Sequence, residues 1–266
     1  MKRVFVALVL AYGCAAGSTT HAQTYPVKPV KVLVPFAPGG TADIVARLVS
    51  VRLTESLGQQ FLVENRGGAG GTIGTAIVAK SPADGYTLLV AHQGLAFNAT
   101  LYDKLPYDTL KDLVPAAMVG STPNVMVVNP GLPIRSVADF IAYAKASPGK
   151  LAYGSGGVGS AGHLPVELFQ SLTQTVLTHV PYKGSGPALT DLMSGQVQAM
   201  ILTMPAAVSY IKAGKLRAIA VSGAKRSSAM PELPTIAEAG VAGRPRRTWS
   251  SCPTARGWSW ESSPGA

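Results

Sequence analysis

One unit limits what this chain can fold into, and it occurs twice: a short apolar strand, a glycine-rich turn and the start of a helix. The first copy runs from Val30 to Asp43. Val30-Lys31-Val32-Leu33-Val34 is apolar and β-branched, which reads as a buried strand. Pro35 and Pro38 lack an amide proton and end the ladder. Gly39-Gly40 lets another group lie directly against the backbone. Thr41 is placed to cap the next helix, and Asp43 sits in its first turn. The second copy starts at Leu151-Ala152-Tyr153, passes through the glycine loop Gly154 to His163, and enters a helix that reaches about Leu172. The first amides of a helix have no partner within it and point outward, so each unit forms an anion site.

The remaining segments repeat the alternation. A helix is predicted over Thr41 to Leu57, with Ile44, Val45, Leu48, Val51 and Leu57 as its apolar face and Gly58 as its stop. Phe61 to Val63 is a strand, Gly67 to Gly74 a glycine loop entering a helix, and Tyr86 to Ala91 a strand. A second series begins with the strand Asn124 to Val128, and Ser136 with Asp139 forms a capping box for the helix Val137 to Ala146. Val180 to Lys183 is strand and turn, Pro187 opens a helix that ends at Gly195, and Val197 to Leu202 is a strand. A helix Pro205 to Ala213 and a strand Leu216 to Val221 follow. Strands alternating with helices predict α/β architecture with largely parallel sheets. The boundary falls near Ser121-Thr122-Pro123, giving lobe 1 over residues 24–121 and lobe 2 over 122–221. Residues 222–241 are expected to lead back toward lobe 1, and ligands of such folds sit at the carboxyl ends of strands.

The N-terminus reads as an export signal over residues 1–22: Lys2 and Arg3, an apolar run from Val4 to Ala16, and a small-residue cleavage site at Thr20-His21-Ala22. A periplasm is the implied destination. Cys14 raises a lipid anchor, for which Tyr12-Gly13 is a poor context. Only Cys252 remains after the leader, so no intrachain disulfide is expected, and no Cys/His spacing suits a metal. The net charge is +10, of which the leader carries two and the segment from Val241 a net three. The body keeps a mild positive field without a basic stripe, which disfavours nucleic acid and suits acidic ligands.

Seven stretches together carry a family resemblance. They are Pro35-Phe36-Ala37-Pro38-Gly39-Gly40-Thr41-Ala42-Asp43, Val63 to Gly71, Pro82 to Leu88, Leu101-Tyr102 with Leu105 to Asp108, Tyr153 to Ser160, Val180 to Gly184, and Pro231 to Thr235 with Glu238-Ala239-Gly240. In this order the chain resembles the receptors of tripartite tricarboxylate transporters, the TctC-like or Bug family, over about Tyr25 to Val241. The resemblance implies a type II-like periplasmic binding protein: two α/β lobes, joined by two crossing strands, around a ligand cleft. It implies capture of a small organic acid (a di- or tricarboxylate, an acidic amino acid or an aromatic acid) and delivery to a membrane permease. Residues 242–266, with Trp249, Trp258 and Trp260, depart from the family pattern and read as an aberrant tail; an exposed apolar edge on lobe 1, with reduced stability or association, is the expected result.

The resemblance assigns one end of the ligand to the first proline–glycine loop and the other to the loop from Ser155 to His163. Ala37, Gly39 and Gly40 are the expected backbone contacts, Phe36 an apolar wall, and Ser155, Ser160 and Thr203 the hydroxyls. Gly159 and His163 belong to the second loop, and Gln93 ends a strand at the cleft. Thr72 heads a helix, where capping competes with a ligand role. Asp43 either stabilises its helix or orients the loop at the ligand. Neither a cofactor nor a catalytic motif is found: Gly68-Ala69-Gly70 has Ile73 where a dinucleotide loop needs glycine. Ser155 and Ser160 have Tyr153 and Val158 two positions before them, so neither is a nucleophile elbow. Nothing in the sequence pairs His92, His163 or His179 into a triad. A two-lobe effector-sensing domain is the alternative to a receptor, and an α/β enzyme the remote one.

Overall fold

The computed structural model describes residues 25–241. The leader with Cys14 and the tail 242–266 with Cys252 lie outside the described residues. Lobe 1 holds the strands β1 (Val30–Val34), β2 (Phe61–Asn65) and β3 (Thr87–Leu89) and the helices α1 (Thr41–Leu57), α2 (Thr72–Ala79) and α3 (Gly94–Leu101). Its sheet is parallel throughout, in the order β2-β1-β3, with Val32 opposite Val63 on one side and Leu88 on the other. The central strand is buried at four of its five residues, as a parallel strand covered on both faces must be. Val30, Val32, Val34, Phe36, Ala46 and Phe61 form the lobe's core.

Helix α1 starts and stops where the sequence places it, and Gly58 closes it in the left-handed conformation. Its face and cap differ from expectation. Asp43, Ala46 and Ser50 are buried, whereas Leu48, Val51 and Leu57 are exposed. Ala46 and Ser50 are small enough to let the helix lie close against β1 and β2, and that side wins over the bulkier apolar one. The N-cap is Gly40 and no side chain caps the helix, because the Thr41 hydroxyl hydrogen-bonds to Thr203 of the other lobe instead.

Lobe 2 holds β4 (Asn124–Val128), α4 (Val137–Ala146), β5 (Ala152–Ser155), α5 (Leu164–Thr173), β6 (Thr178–Pro181), α6 (Ser185–Ser194), β7 (Ala199–Thr203), α7 (Met204–Lys212) and β8 (Arg217–Val221). The strand order is β6-β5-β7-β4-β8. Contrary to a mostly parallel reading, β4 runs antiparallel to both β7 and β8. It is the first strand after the passage from lobe 1, so its direction follows from where the chain enters. Its alternate residues face opposite layers: Met126 and Val128 join Phe140, Tyr153 and Phe169, while Val125 and Val127 join Leu189, Leu192 and Met200. The serine half of the capping box forms, with the Asp139 amide donating to Ser136 Oγ at 3.0 Å, while Asp139 Oδ2 accepts the amide of Arg135, one residue before the cap, at 3.0 Å.

Residues 222–241, expected to lead back to lobe 1, lie against lobe 2 throughout. Met230 and Leu233 pack on one layer and Ile236, Ala239 and Val241 on the other, because these apolar side chains cover both faces of the sheet near β8. The passage between lobes has no regular structure over residues 113–123. Leu110, in the turn before it, and Val114 and Met118 along it are 89%, 90% and 86% exposed. Apolar side chains that accessible and that near in sequence promote association. Sedimentation velocity over rising protein concentration should show self-association that the triple substitution Leu110→Ser, Val114→Ser, Met118→Ser reduces; a wild-type chain monomeric at every concentration contradicts this.

Candidate functional site

The lobes meet backbone to backbone. The Ala37 amide, in the loop after β1, donates to the Lys183 carbonyl, in the turn after β6, at 2.9 Å. A methyl group on Gly186 would collide with the Pro38 carbonyl, and one on Gly70 with the carbonyl of Val158, so both contacts depend on glycine. The hydroxyls of Thr41 and Thr203 hydrogen-bond across the junction, and Tyr102 Oη donates to the Val158 carbonyl at 3.3 Å.

Beside this seam is a cavity of about 840 Å³. Lobe 1 contributes Phe36, Gly40, the first residues of α1 (Thr41, Ala42), His92, Gln93 and part of the inter-lobe passage; lobe 2 contributes Ser155, Gly156, Ser160, Ser185, Met200 and Thr203. None of the lining residues is Asp, Glu, Lys or Arg. The first amides of α1 open into it, since the first bond within the helix is the one from the Ile44 amide to the Gly40 carbonyl. Among the described residues Ser160 Oγ is buried without a hydrogen-bond partner, which costs free energy unless something else supplies one. Among the described residues no three His, Cys, Asp or Glu side chains group as a metal would require.

Of the residues singled out from sequence, Phe36, Gly40, Gln93, Ser155, Ser160 and Thr203 line the cavity. The other six do not. The Ala37 amide is used by Lys183, and the Gly39 amide donates to Asp43 Oδ2 at 3.1 Å. Asp43 also accepts from Asn65 at 3.0 Å and Arg47 at 3.1 Å, while Asn65 donates to the Phe36 carbonyl at 3.1 Å. Burial alone would raise the Asp43 carboxyl, but hydrogen bonds from Arg47, Gly39 and Asn65 and the Arg47 charge hold it below the usual carboxylate value. Asp43 therefore fixes the shape of the loop and turns its own charge away from the cavity. Thr72 Oγ1 donates to the Ala69 carbonyl at 2.9 Å within its own turn. The Gly159 amide donates to His163 Nδ1 at 3.3 Å, so His163 braces the second loop from behind.

Sequence inspection missed four contributors. Thr41 reads as a cap and His92 as the polar edge of a strand, while Ser185 precedes the helix expected to open at Pro187. His179, beneath the cavity, gives no sequence signal because its partner lies on another strand: His179 Nε2 is 2.7 Å from Ser155 Oγ. The pairing of a histidine with a serine, absent from the sequence pattern, is thus present in space. His92 stacks on Phe36 with 4.4 Å between ring centroids and accepts the Gly94 amide on Nδ1 at 3.0 Å.

An α/β fold of two lobes closed over an uncharged, hydroxyl-lined cavity defines a solute-binding protein. The chain belongs to the tripartite tricarboxylate transporter family receptors, whose sequence pattern it matches over residues 45–255. It is 48% identical to Protein BugT of Bordetella pertussis over 221 residues, covering 82% of this chain and 68% of that one. An R. palustris protein solved with adipate is 44% identical, with a TM-score of 0.80 and coverage of 82% and 74% of the two chains. MatC from Rhodopseudomonas palustris with bound malate is 35% identical, with a TM-score of 0.78 and the same coverage. The chain is a solute-binding receptor of a family of periplasmic binding proteins, and no helix among the described residues is long and apolar enough to cross a membrane.

Burial lowers the pKa of His92 to about 4, from an ordinary value of 6.5. Since the unfolded chain then binds the proton more readily, this stability is complete above pH 6.5 and is lost as the pH falls toward 4. The loss is on the order of 2–3 kcal/mol for a side chain this sheltered. Thermal melting across this range should show a fall that His92→Asn, whose Oδ1 can still accept the Gly94 amide, makes shallower. Equal slopes for the two proteins would count against it.

Proposed function

We propose that this receptor captures a short aliphatic dicarboxylate in the periplasm and passes it to a membrane permease. The observation that carries this is the cavity wall: the amide end of α1 and the hydroxyls of Ser155, Ser160 and Thr203 surround a space without a single charged side chain. Such a wall favours an anion through dipoles and hydroxyl protons, and Leu89, Val90, Met200 and Leu202 offer apolar surface to a methylene body. The adipate and malate bound by related proteins of the same family support this ligand class. One helix N-terminus contributes about 0.3–1 kcal/mol, or ~2 when sheltered. Micromolar binding requires roughly 8 kcal/mol, so several donors must act together once the lobes exclude water. Ser160, already buried with no partner among the described residues, is the donor most directly available.

Turnover is no part of this proposal. The Ser155–His179 pair has no carboxylate hydrogen-bonded to the imidazole among the described residues. The pairing serves to place a hydroxyl rather than to activate a nucleophile.

Adipate and malate at millimolar concentration should raise the melting temperature, since ligand at a hundredfold over Kd adds about 2.7 kcal/mol to folded stability. By calorimetry, Ser160→Ala should weaken whichever acid binds by about tenfold, the value of one hydrogen bond to a charged group. Undiminished affinity in Ser160→Ala, or no binding of either acid, contradicts the proposal.

A further inference from the structure

Behind the second loop lies a packed group of side chains that do not line the cavity. His179 on β6 stacks against Tyr153 of β5 with centroids 4.7 Å apart and planes 12° apart, and lies 4.4 Å from the ring of His163 at the start of α5. Tyr153 Oη donates to Glu167 of α5, and His163 Nε2 lies 3.9 Å from the same carboxylate oxygen. Two of these groups have settled protons. Tyr153 gives its proton to Glu167. His163 accepts the Gly159 amide on Nδ1 and so carries its own proton on Nε2, toward Glu167.

His179 has a choice, and the choice decides what Ser155 can offer. Ser155 Oγ already accepts the Gly157 amide at 3.1 Å. A hydroxyl has one proton and two acceptor positions. With Nε2 of His179 bare, the serine proton is held by the imidazole and Ser155 offers the cavity no donor. With the proton on Nε2, the imidazole fills the second acceptor position and the serine proton is released. The Gly157 carbonyl, at 3.3 Å, is then its only acceptor among the described residues, and a distant one.

We infer that His179 is a positioning residue of the binding site: it donates Nε2–H to Ser155 Oγ and thereby turns the Ser155 proton toward a carboxylate oxygen of the ligand. This rests on the cavity being a carboxylate site, as proposed above. Burial, with the nearby His163, lowers the His179 pKa to about 4, so at neutral pH the ring carries a single proton whose location matters. Tyr153, His163 and Glu167 are the titratable groups that face it from β5 and α5.

Two measurements test this. Two-bond proton–nitrogen correlation spectra of the ligand-free wild-type protein at pH 7 should show His179 protonated on Nε2; protonation on Nδ1 overturns the inference whether or not any acid binds. In calorimetric titrations with adipate and malate, His179→Phe keeps the ring and removes the donor, and should weaken binding about tenfold, as Ser155→Ala does. The double variant should be no weaker than either single one. His179→Gln, whose amide nitrogen can replace Nε2–H, should recover most of the affinity. Wild-type affinity in His179→Phe, or losses that multiply in the double variant, overturn the inference. If neither acid binds wild-type protein, the dicarboxylate proposal falls, while the imidazole spectrum still decides the role of His179.

Discussion

The bond from the Ala37 amide to the Lys183 carbonyl joins the turns that follow two strands from different lobes. A contact of backbone with backbone needs both surfaces free of side chains, and Gly186 against Pro38 and Gly70 against Val158 meet that need. The glycine turns are therefore closure surfaces as much as ligand loops. Their amides are largely committed: Ala37 to the other lobe, Gly39 to Asp43, Gly159 to His163. The ligand is left with what closure does not use, which is the open end of α1 and a set of hydroxyls.

That division explains why charged residues sit behind the loops and not in them. Asp43, Arg47 and Asn65 brace the first loop, and Tyr153, Glu167 and the His163–His179 pair support the second. A charged side chain in the cavity would need desolvation each time the lobes shut. Dipoles and hydroxyls held in place by a buried frame avoid that cost. Such a wall specifies the ends of a ligand loosely and leaves its length and body to the shape of the space.

Most of the secondary structure was legible because local signals agreed. Helices α4 and α6 have a capping serine or a left-handed glycine at the end where one was read, and β4 and β7 are each apolar at four of five residues. What failed depended on tertiary partners. The buried side of α1 is set by how closely Ala46 and Ser50 approach the sheet, which apolar periodicity alone does not reveal. Thr41 was legible as a cap only in the absence of Thr203. For the site, the residue types were readable and their direction was not. Ser155, Ser160 and Thr203 do face the cavity, whereas Ala37 and Gly39 spend their amides on partners 146 and 4 residues away, given by Lys183 and Asp43. His179 pairs with Ser155 through adjacent parallel strands, a relation visible only after the register of β5 and β6 is known.

The central claim is that an acid is held between the lobes by uncharged groups alone. A crystal structure of the protein grown with adipate tests it most directly. The account predicts one carboxylate within about 2.7–3.2 Å of the first amides of α1, and the other on the hydroxyls of Ser155 or Ser160, with Ala37 still bonded to Lys183. An adipate held by a lysine or arginine side chain, or seated outside the cavity between the lobes, would contradict it.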